Sequence, residues 1–255
     1  MQLHYQTLGQ GQPIILLHGL FGSADNWGKV AKHLAKAYQV ISVDLRNHGR
    51  SPHSDSQNYT DMTSDLLELC NFIGLDAIHL LGHSLGGKVA MQFATQHPER
   101  VDQLVIVDMA MREYPNEHTH LIDAMMGVDL SIIQSRTEAD KALSGSIKQA
   151  MIRQFLLMNL VKSNGEDKRL MWRINLAALK ANYRALQQAV CMNARYDKPC
   201  LFIRGERSHY VQASDIEQIE TCFTKAQFAS LPTQHWVHAE QPEAFISLIS
   251  QFLTQ

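Results

Sequence analysis

Short runs dominated by apolar residues alternate with helically spaced stretches through the first 110 positions. Pro13-Ile14-Ile15-Leu16-Leu17, Tyr38 to Val43, Ile78 to Leu81 and Val101 to Val107 are such runs, the pattern of strands buried on both faces. Gln2 to Leu8 alternates weakly and reads as an edge strand. Between the runs, Ser23 or Asp25 can cap a helix reaching about Ala37. Tyr59–Ile73 carries Met62, Leu66, Leu69, Phe72 and Ile73 at helical spacing before Gly74, and a third helix runs from about Gly86 to Gln96 before Pro98. Strand and helix in regular alternation predict an α/β fold, a mostly parallel central sheet with helices on both faces.

The rhythm breaks after Met111. To about Arg195 no strand pattern stands out, and helical stretches are expected at His118–Met126, Glu138–Leu143 after Thr137, Ser146–Met158 and Lys168–Cys191. Seven of the 11 methionines fall here or at its edge, serving as core or as an adaptable apolar lining. The expectation is an inserted α-helical cap, residues 111–195, between core segments 1–110 and 196–255. The sheet resumes at Pro199–Gly205. A loop, a helix Asp215–Phe223 capped by Ser214, a strand Ala226–Leu231 and a helix of about Glu243–Leu253 follow.

Composition narrows the class. With 255 residues, 45% apolar and a net charge of −2, the chain has ample core and no basic excess to attract nucleic acid or an anionic membrane. The four cysteines are scattered, as free thiols in a reducing compartment. No leader-like or membrane-length apolar run occurs, so a cytoplasmic location is expected. His118-x-His120 could be a metal pair, but no Cys or carboxylate cluster accompanies it and solvated surface is the plainer reading.

The candidate chemistry centres on Ile78-His79-Leu80-Leu81-Gly82-His83-Ser84-Leu85-Gly86-Gly87. Gly-x-Ser-x-Gly between an apolar strand and a small-residue helix is the pattern of a nucleophile elbow. Gly82 and Gly86 let strand and helix pass closely, and the helix N-terminus favours negative charge beside Ser84. His18, Ser84 and Asp108 each end an apolar strand and so share the sheet edge where ligands bind. A serine hydroxyl also needs a base and an orienting acid. His83 precedes the nucleophile and points away from its Oγ.

The whole chain resembles the α/β-hydrolase superfamily through His18-Gly19, Asp44-x-Arg46-x-His48-Gly49-x-Ser51, Gly82-His83-Ser84-Leu85-Gly86-Gly87, and His235 with Glu240-x-Pro242. The resemblance implies that His235, after the last strand, is the base, with His238 packing nearby. The usual family acid position, after the strand ending at Gly205, holds Ser208. Asp108 stands where a subset of the superfamily carries its acid, and Glu206 is the rival. With His18 to Ser23, Asp44 to Gly49, Asp108 and Ser208, the chain looks like the YbfF-type bacterial esterases. In a related mitochondrial branch a serine sits beside the catalytic histidine, so Ser208 is either an auxiliary hydrogen-bond partner or a plain loop serine. Gln234 departs from the glycine usual before the histidine.

An oxyanion hole needs two donors, expected from the Leu85 and Leu20 amides. Phe21, His83 and Trp236 are expected to line the substrate pocket. His18 and the Asp44–Arg46–His48 loop read as structural braces, with substrate binding as the second reading for that loop. The resemblance implies a serine carboxylesterase for short-chain acyl esters, with acyl-CoA thioesters also in range, acting on a small-molecule substrate, and no metal or cofactor is expected. The rivals are a carbon–carbon bond hydrolase or lyase–thioesterase using the same triad, and a non-catalytic binding protein. Oligomeric state is left open.

Overall fold

The computed structural model describes residues 1–163 and 168–255, so positions 164–167 of the expected cap lie outside the described residues. The main strands are β1 (Tyr5–Leu8), β2 (Gln12–Leu17), β3 (Tyr38–Val43), β4 (Ile78–His83) and β5 (Val101–Val107). After a long insertion holding β6 (Leu160–Lys162) and β7 (Leu170–Trp172), they continue with β8 (Cys200–Gly205) and β9 (Ala226–Leu231). Seven of these form one sheet in the order β1-β3-β2-β4-β5-β8-β9. Only edge strand β1 is antiparallel, pairing Tyr5 with Val43 through Leu8 with Val40.

Alternation along each strand explains the unbroken apolar runs. Ile14 and Leu16 join the core on one face, while Ile15 and Leu17 join the core on the other. Helices α1 (Gly28–Leu34) and α10 (Pro242–Leu253) cover the first face through Val30, Leu34, Phe245 and Ile249. Helices α2 (Tyr59–Phe72), α3 (Leu85–Gln96) and α8 (Ala213–Cys222) cover the second through Leu66, Val89 and Ile219. A four-residue helix, α9 (Val237–Glu240), precedes α10.

The insertion carries α4 (Thr119–Met126), α5 (Arg136–Leu143), α6 (Ala150–Leu157) and α7 (Leu176–Gln187). The expectation of a strandless cap is corrected here. Strands β6 and β7 pair antiparallel, Leu160 opposite Trp172 and Lys162 opposite Leu170. Leu170-Met171-Trp172 favours helix locally, but cross-strand pairing and the Trp172 indole bond to the Met125 carbonyl at 2.9 Å override that preference. Helix α7 therefore starts at Leu176, behind Asn175, whose side chain caps it by accepting from the Ala178 amide, and not near Lys168. Helix α6 begins at Ala150 rather than Ser146. Likewise α5 starts at Arg136, behind the Ser135 cap, rather than at Glu138, and Gln212, not Ser214, precedes α8. Among the described residues no helix is long and apolar enough to cross a membrane.

The Asp44–Arg46–His48 loop braces the sheet edge. Buried Asp44 accepts from the Ala24 amide at 2.6 Å and the Arg50 amide at 2.8 Å, and Arg46 pairs with Asp65 at 2.6 Å and Asp61 at 2.9 Å. Gly49 is at φ 55°, with its Cα so close that a Cβ would lie 2.1 Å from the Asp44 carboxyl carbon.

Candidate active site

Ser84 joins β4 to α3 with φ 52° and ψ −116°, a left-handed conformation that is strained for a side-chain residue. The turn holds because its neighbours lack side chains. A Cβ on Gly82 would lie 2.2 Å from the Gly86 carbonyl oxygen, and one on Gly86 would lie 2.6 Å from the Leu17 and His18 carbonyl oxygens. The Ser84 amide donates to the Val107 carbonyl at 3.1 Å and the Gly86 amide to that of His18 at 3.1 Å, locking the elbow onto both neighbouring strand ends. Leu85 is the first residue of α3, so its amide has no carbonyl one turn back to bond.

The second strand end supplies a carboxylate. Asp108 follows β5, is fully buried, and adopts φ 49°. Its Oδ1 accepts from the Gly205 amide at 2.9 Å. Its Oδ2 accepts from the Ser208 hydroxyl and lies 2.7 Å from Nδ1 of His235. Three donors converge on this anion, which is how a charge survives burial. Ser208, Asp108 and His235 are thus brought into one network. Glu206 is not. Its side chain is exposed and accepts from Ser230 at 3.3 Å.

His235 is held on several sides. Nε2 of His83 donates to the His235 carbonyl at 2.9 Å, so His83 supports the backbone of the other histidine, while burial pushes its own pKa well below the ordinary value. The Glu240 carboxylate accepts from the Gln234 amide at 2.9 Å, fixing the chain where glycine is absent. The Tyr210 ring stacks on the imidazole, centroids 3.8 Å apart and planes at 19°. Buried His238 packs against His83 and Trp27, and burial lowers its pKa to about 3.

The loop after β2 turns at Gly19–Gly22, closed by the Gly22 amide to the Gly19 carbonyl at 2.9 Å, with Phe21 at φ 63°. That bond does not use the Leu20 amide. The Leu45 amide donates to Nε2 of His18 at 3.0 Å, so the Nδ1 carries the proton and donates to the Gly19 carbonyl at 2.8 Å. His18 is a brace, as its sequence setting suggests.

Ser84 stands where two cavities meet. A cavity of about 200 Å³ is lined by Phe21, His83, His235, Trp236 and Phe155 among others, so the three pocket residues expected from sequence all face it. A smaller one, about 50 Å³, is lined by Leu85, Tyr59, Lys88 and Tyr114, and Leu20, His118 and Tyr210 border both. Five of these residues, Tyr59, Lys88, Tyr114, Phe155 and Tyr210, carry no motif that marks them for this site, and only their placement reveals them. His118 corrects the solvated-surface reading. It bonds the Tyr183 hydroxyl at 2.9 Å, and burial with His235 nearby lowers its pKa to about 4. Lys88 is 1% exposed, and its ammonium donates to the carbonyls of Arg112 at 2.9 Å, Gln187 at 3.3 Å and Gln188. Burial, then Arg112, pull its pKa down to about 7. Among the described residues no three His, Cys, Asp or Glu side chains gather as a metal set.

The site can support attack by a hydroxyl assisted by an imidazole that a buried carboxylate orients. The sequence profile of the α/β-hydrolase fold matches residues 12–242. The sn-1-specific diacylglycerol lipase ABHD11 of Mus musculus is 40% identical over 249 residues, 94% of this chain and 80% of the relative. Esterase YbfF of Escherichia coli is 34% identical over 250 residues, 97% of this chain and 95% of the relative. A solved marine microorganism esterase superposes with a TM-score of 0.94 at 35% identity, covering 98% of this chain and 99% of its own.

Proposed function

This chain belongs to the α/β-hydrolase fold family, and we propose that it is a serine carboxylesterase of short-chain acyl esters. Residues 111–195 serve as a cap over a core of 1–110 and 196–255. His235 takes the Ser84 Oγ proton as Oγ attacks the ester carbonyl, and the Leu20 and Leu85 amides hold the oxyanion. Asp108 stabilises the resulting imidazolium, with Ser208 as its auxiliary donor. His235 then protonates the leaving oxygen or sulfur, the C–O or C–S bond breaks, and water hydrolyses the acyl-enzyme by the same route.

The observation that carries this reading is the convergence of His235 and Ser208 on the buried Asp108 carboxylate, beside a strained Ser84 at the junction of two cavities. The two cavities also suggest which half of the substrate goes where. The leaving group must lie against His235, which lines only the larger cavity. The acyl chain then points into the smaller one, whose volume of about 50 Å³ suits a few carbons. Mus musculus ABHD11 acts on diacylglycerol and E. coli YbfF on esters by name, which fits an ester substrate. A thioester meets the same requirement on the leaving side.

Initial rates on p-nitrophenyl esters from acetate to palmitate, for wild type and Ser84→Ala, test the proposal. A Ser84-dependent rate falling with chain length supports it. Rates rising toward palmitate overturn the short-chain assignment. The absence of any Ser84-dependent rate overturns the esterase reading in favour of carbon–carbon hydrolysis or a binding role.

A further inference from the structure

We propose that Asn159, a cap residue, positions the oxyanion loop, so that a seated cap is part of the catalytic apparatus. The inference rests on the Leu20 assignment made above. Asn159 lies between α6 and β6 and is 1% exposed. Its side-chain amide nitrogen donates to the Phe21 carbonyl at 2.8 Å and to the Leu156 carbonyl at 3.2 Å, both buried contacts. Its own carbonyl accepts from the Arg173 amide at 2.8 Å, which anchors it beside the small cap sheet. The neighbouring Met158 sulfur accepts from the Asn26 side chain at 3.7 Å, and the Asn26 side-chain oxygen in turn accepts from the Ser23 amide at 2.7 Å. The cap therefore grips residues 21–26 at two adjacent points.

The gripped carbonyl matters because of where it sits. Leu20 and Phe21 are the central residues of the Gly19–Gly22 turn, and Phe21 holds φ 63° without being glycine. The Phe21 carbonyl shares its peptide plane with the Gly22 N–H, and the Gly19 carbonyl on which that N–H closes shares its plane with the Leu20 N–H, so a bond to the Phe21 carbonyl acts on the Leu20 amide through the turn's closing bond. Core bonds hold the two flanks, through His18 to Gly19 at 2.8 Å and Ala24 to Asp44 at 2.6 Å. Asn159 holds the middle. Losing its donor leaves a buried carbonyl unpaired, which favours reorientation of the turn. An oxyanion donor works only when it is fixed before the charge develops, so a looser turn costs transition-state stabilisation and leaves ground-state binding largely intact.

Asn159→Asp and Asn159→Ala test this on the full chain with p-nitrophenyl butyrate. Asn159→Asp keeps the shape and removes both N–H donors, and is the deciding variant if Asn159→Ala fails to fold. The expected result is a fall in kcat of roughly tenfold or more, short of the 10²–10³ for deleting a donor outright, with KM within about twofold. A short-chain trifluoromethyl ketone adds the Ser84 oxygen to its carbonyl and places an oxyanion in the same hole. Its inhibition constant should rise in step with the loss in kcat/KM, which a merely structural role would not produce. Unchanged kcat, a rise in KM alone, or a kcat loss without weaker ketone binding each overturn the proposal. A wild type with no Ser84-dependent rate instead overturns the esterase reading, so the two failures are distinct.

Discussion

Nδ1 of His235 lies 2.7 Å from Oδ2 of Asp108, across 127 positions of sequence. The contact is made at the end of β5, one strand before the loop in which Ser208 takes the usual acid position, and Glu206 beside Ser208 faces solvent. Asp108→Asn should lower kcat by about a thousandfold or more with KM little changed, because the imidazole loses its orienting anion. Glu206→Gln should leave kcat within about twofold. Steady-state kinetics on a short-chain p-nitrophenyl ester decides, and the reverse pattern would transfer the acid role to Glu206.

The Ser208 hydroxyl shares the same carboxylate oxygen with His235. Ser208→Ala removes one of three donors to a buried anion, a bond of the charged class. A drop in kcat of about tenfold is expected, smaller than for Asp108→Asn. A wild-type rate would make Ser208 a loop serine with no part in the reaction.

Close approach of backbone at the elbow makes a stability prediction. Gly82→Ala puts a methyl group 2.2 Å from the Gly86 carbonyl oxygen, and the rigid elbow cannot yield without moving Ser84. A loss of about 3 kcal/mol, together with loss of activity, is expected. Chemical denaturation measures it. Gly74→Ala is a contrast, since space there is open but φ is 71°, and its smaller penalty should leave activity intact.

Lys88 ties α3 to both ends of the insertion through carbonyls of Arg112, Gln187 and Gln188. Its pKa falls from the ordinary 10.5 to about 7 in the folded chain, by burial first and Arg112 second. Between these two values the unfolded chain binds more protons than the folded one. The contribution of this group to stability is therefore flat below about pH 7 and grows as pH rises toward 10.5. The Tm difference between wild type and Lys88→Met should shift in favour of wild type from pH 7 to pH 9. A difference independent of pH would refute the buried titration.

Local pattern carried much of this fold. The runs Tyr38–Val43 and Val101–Val107 are strands at those bounds because burial on both faces favours apolar sequence whatever the neighbours, and the largely exposed edge strand Ala226–Leu231 keeps its bounds as well. The elbow was legible for the same reason, since Gly82, Ser84 and Gly86 act within one turn. Short cap elements were not. Leu170-Met171-Trp172 is a strand only because Leu160-Val161-Lys162 lies opposite it. The α/β alternation, the strained serine turn and the strand ends where His18, Ser84 and Asp108 stand all follow from local residue order. That His235 reaches Asp108 and not Glu206, that Tyr210 stacks on that imidazole, and that Asn159 holds the Phe21 carbonyl emerge only when the chain is folded. Those relationships span 100 or more positions in two of the three cases and depend on side-chain direction, which no local periodicity encodes.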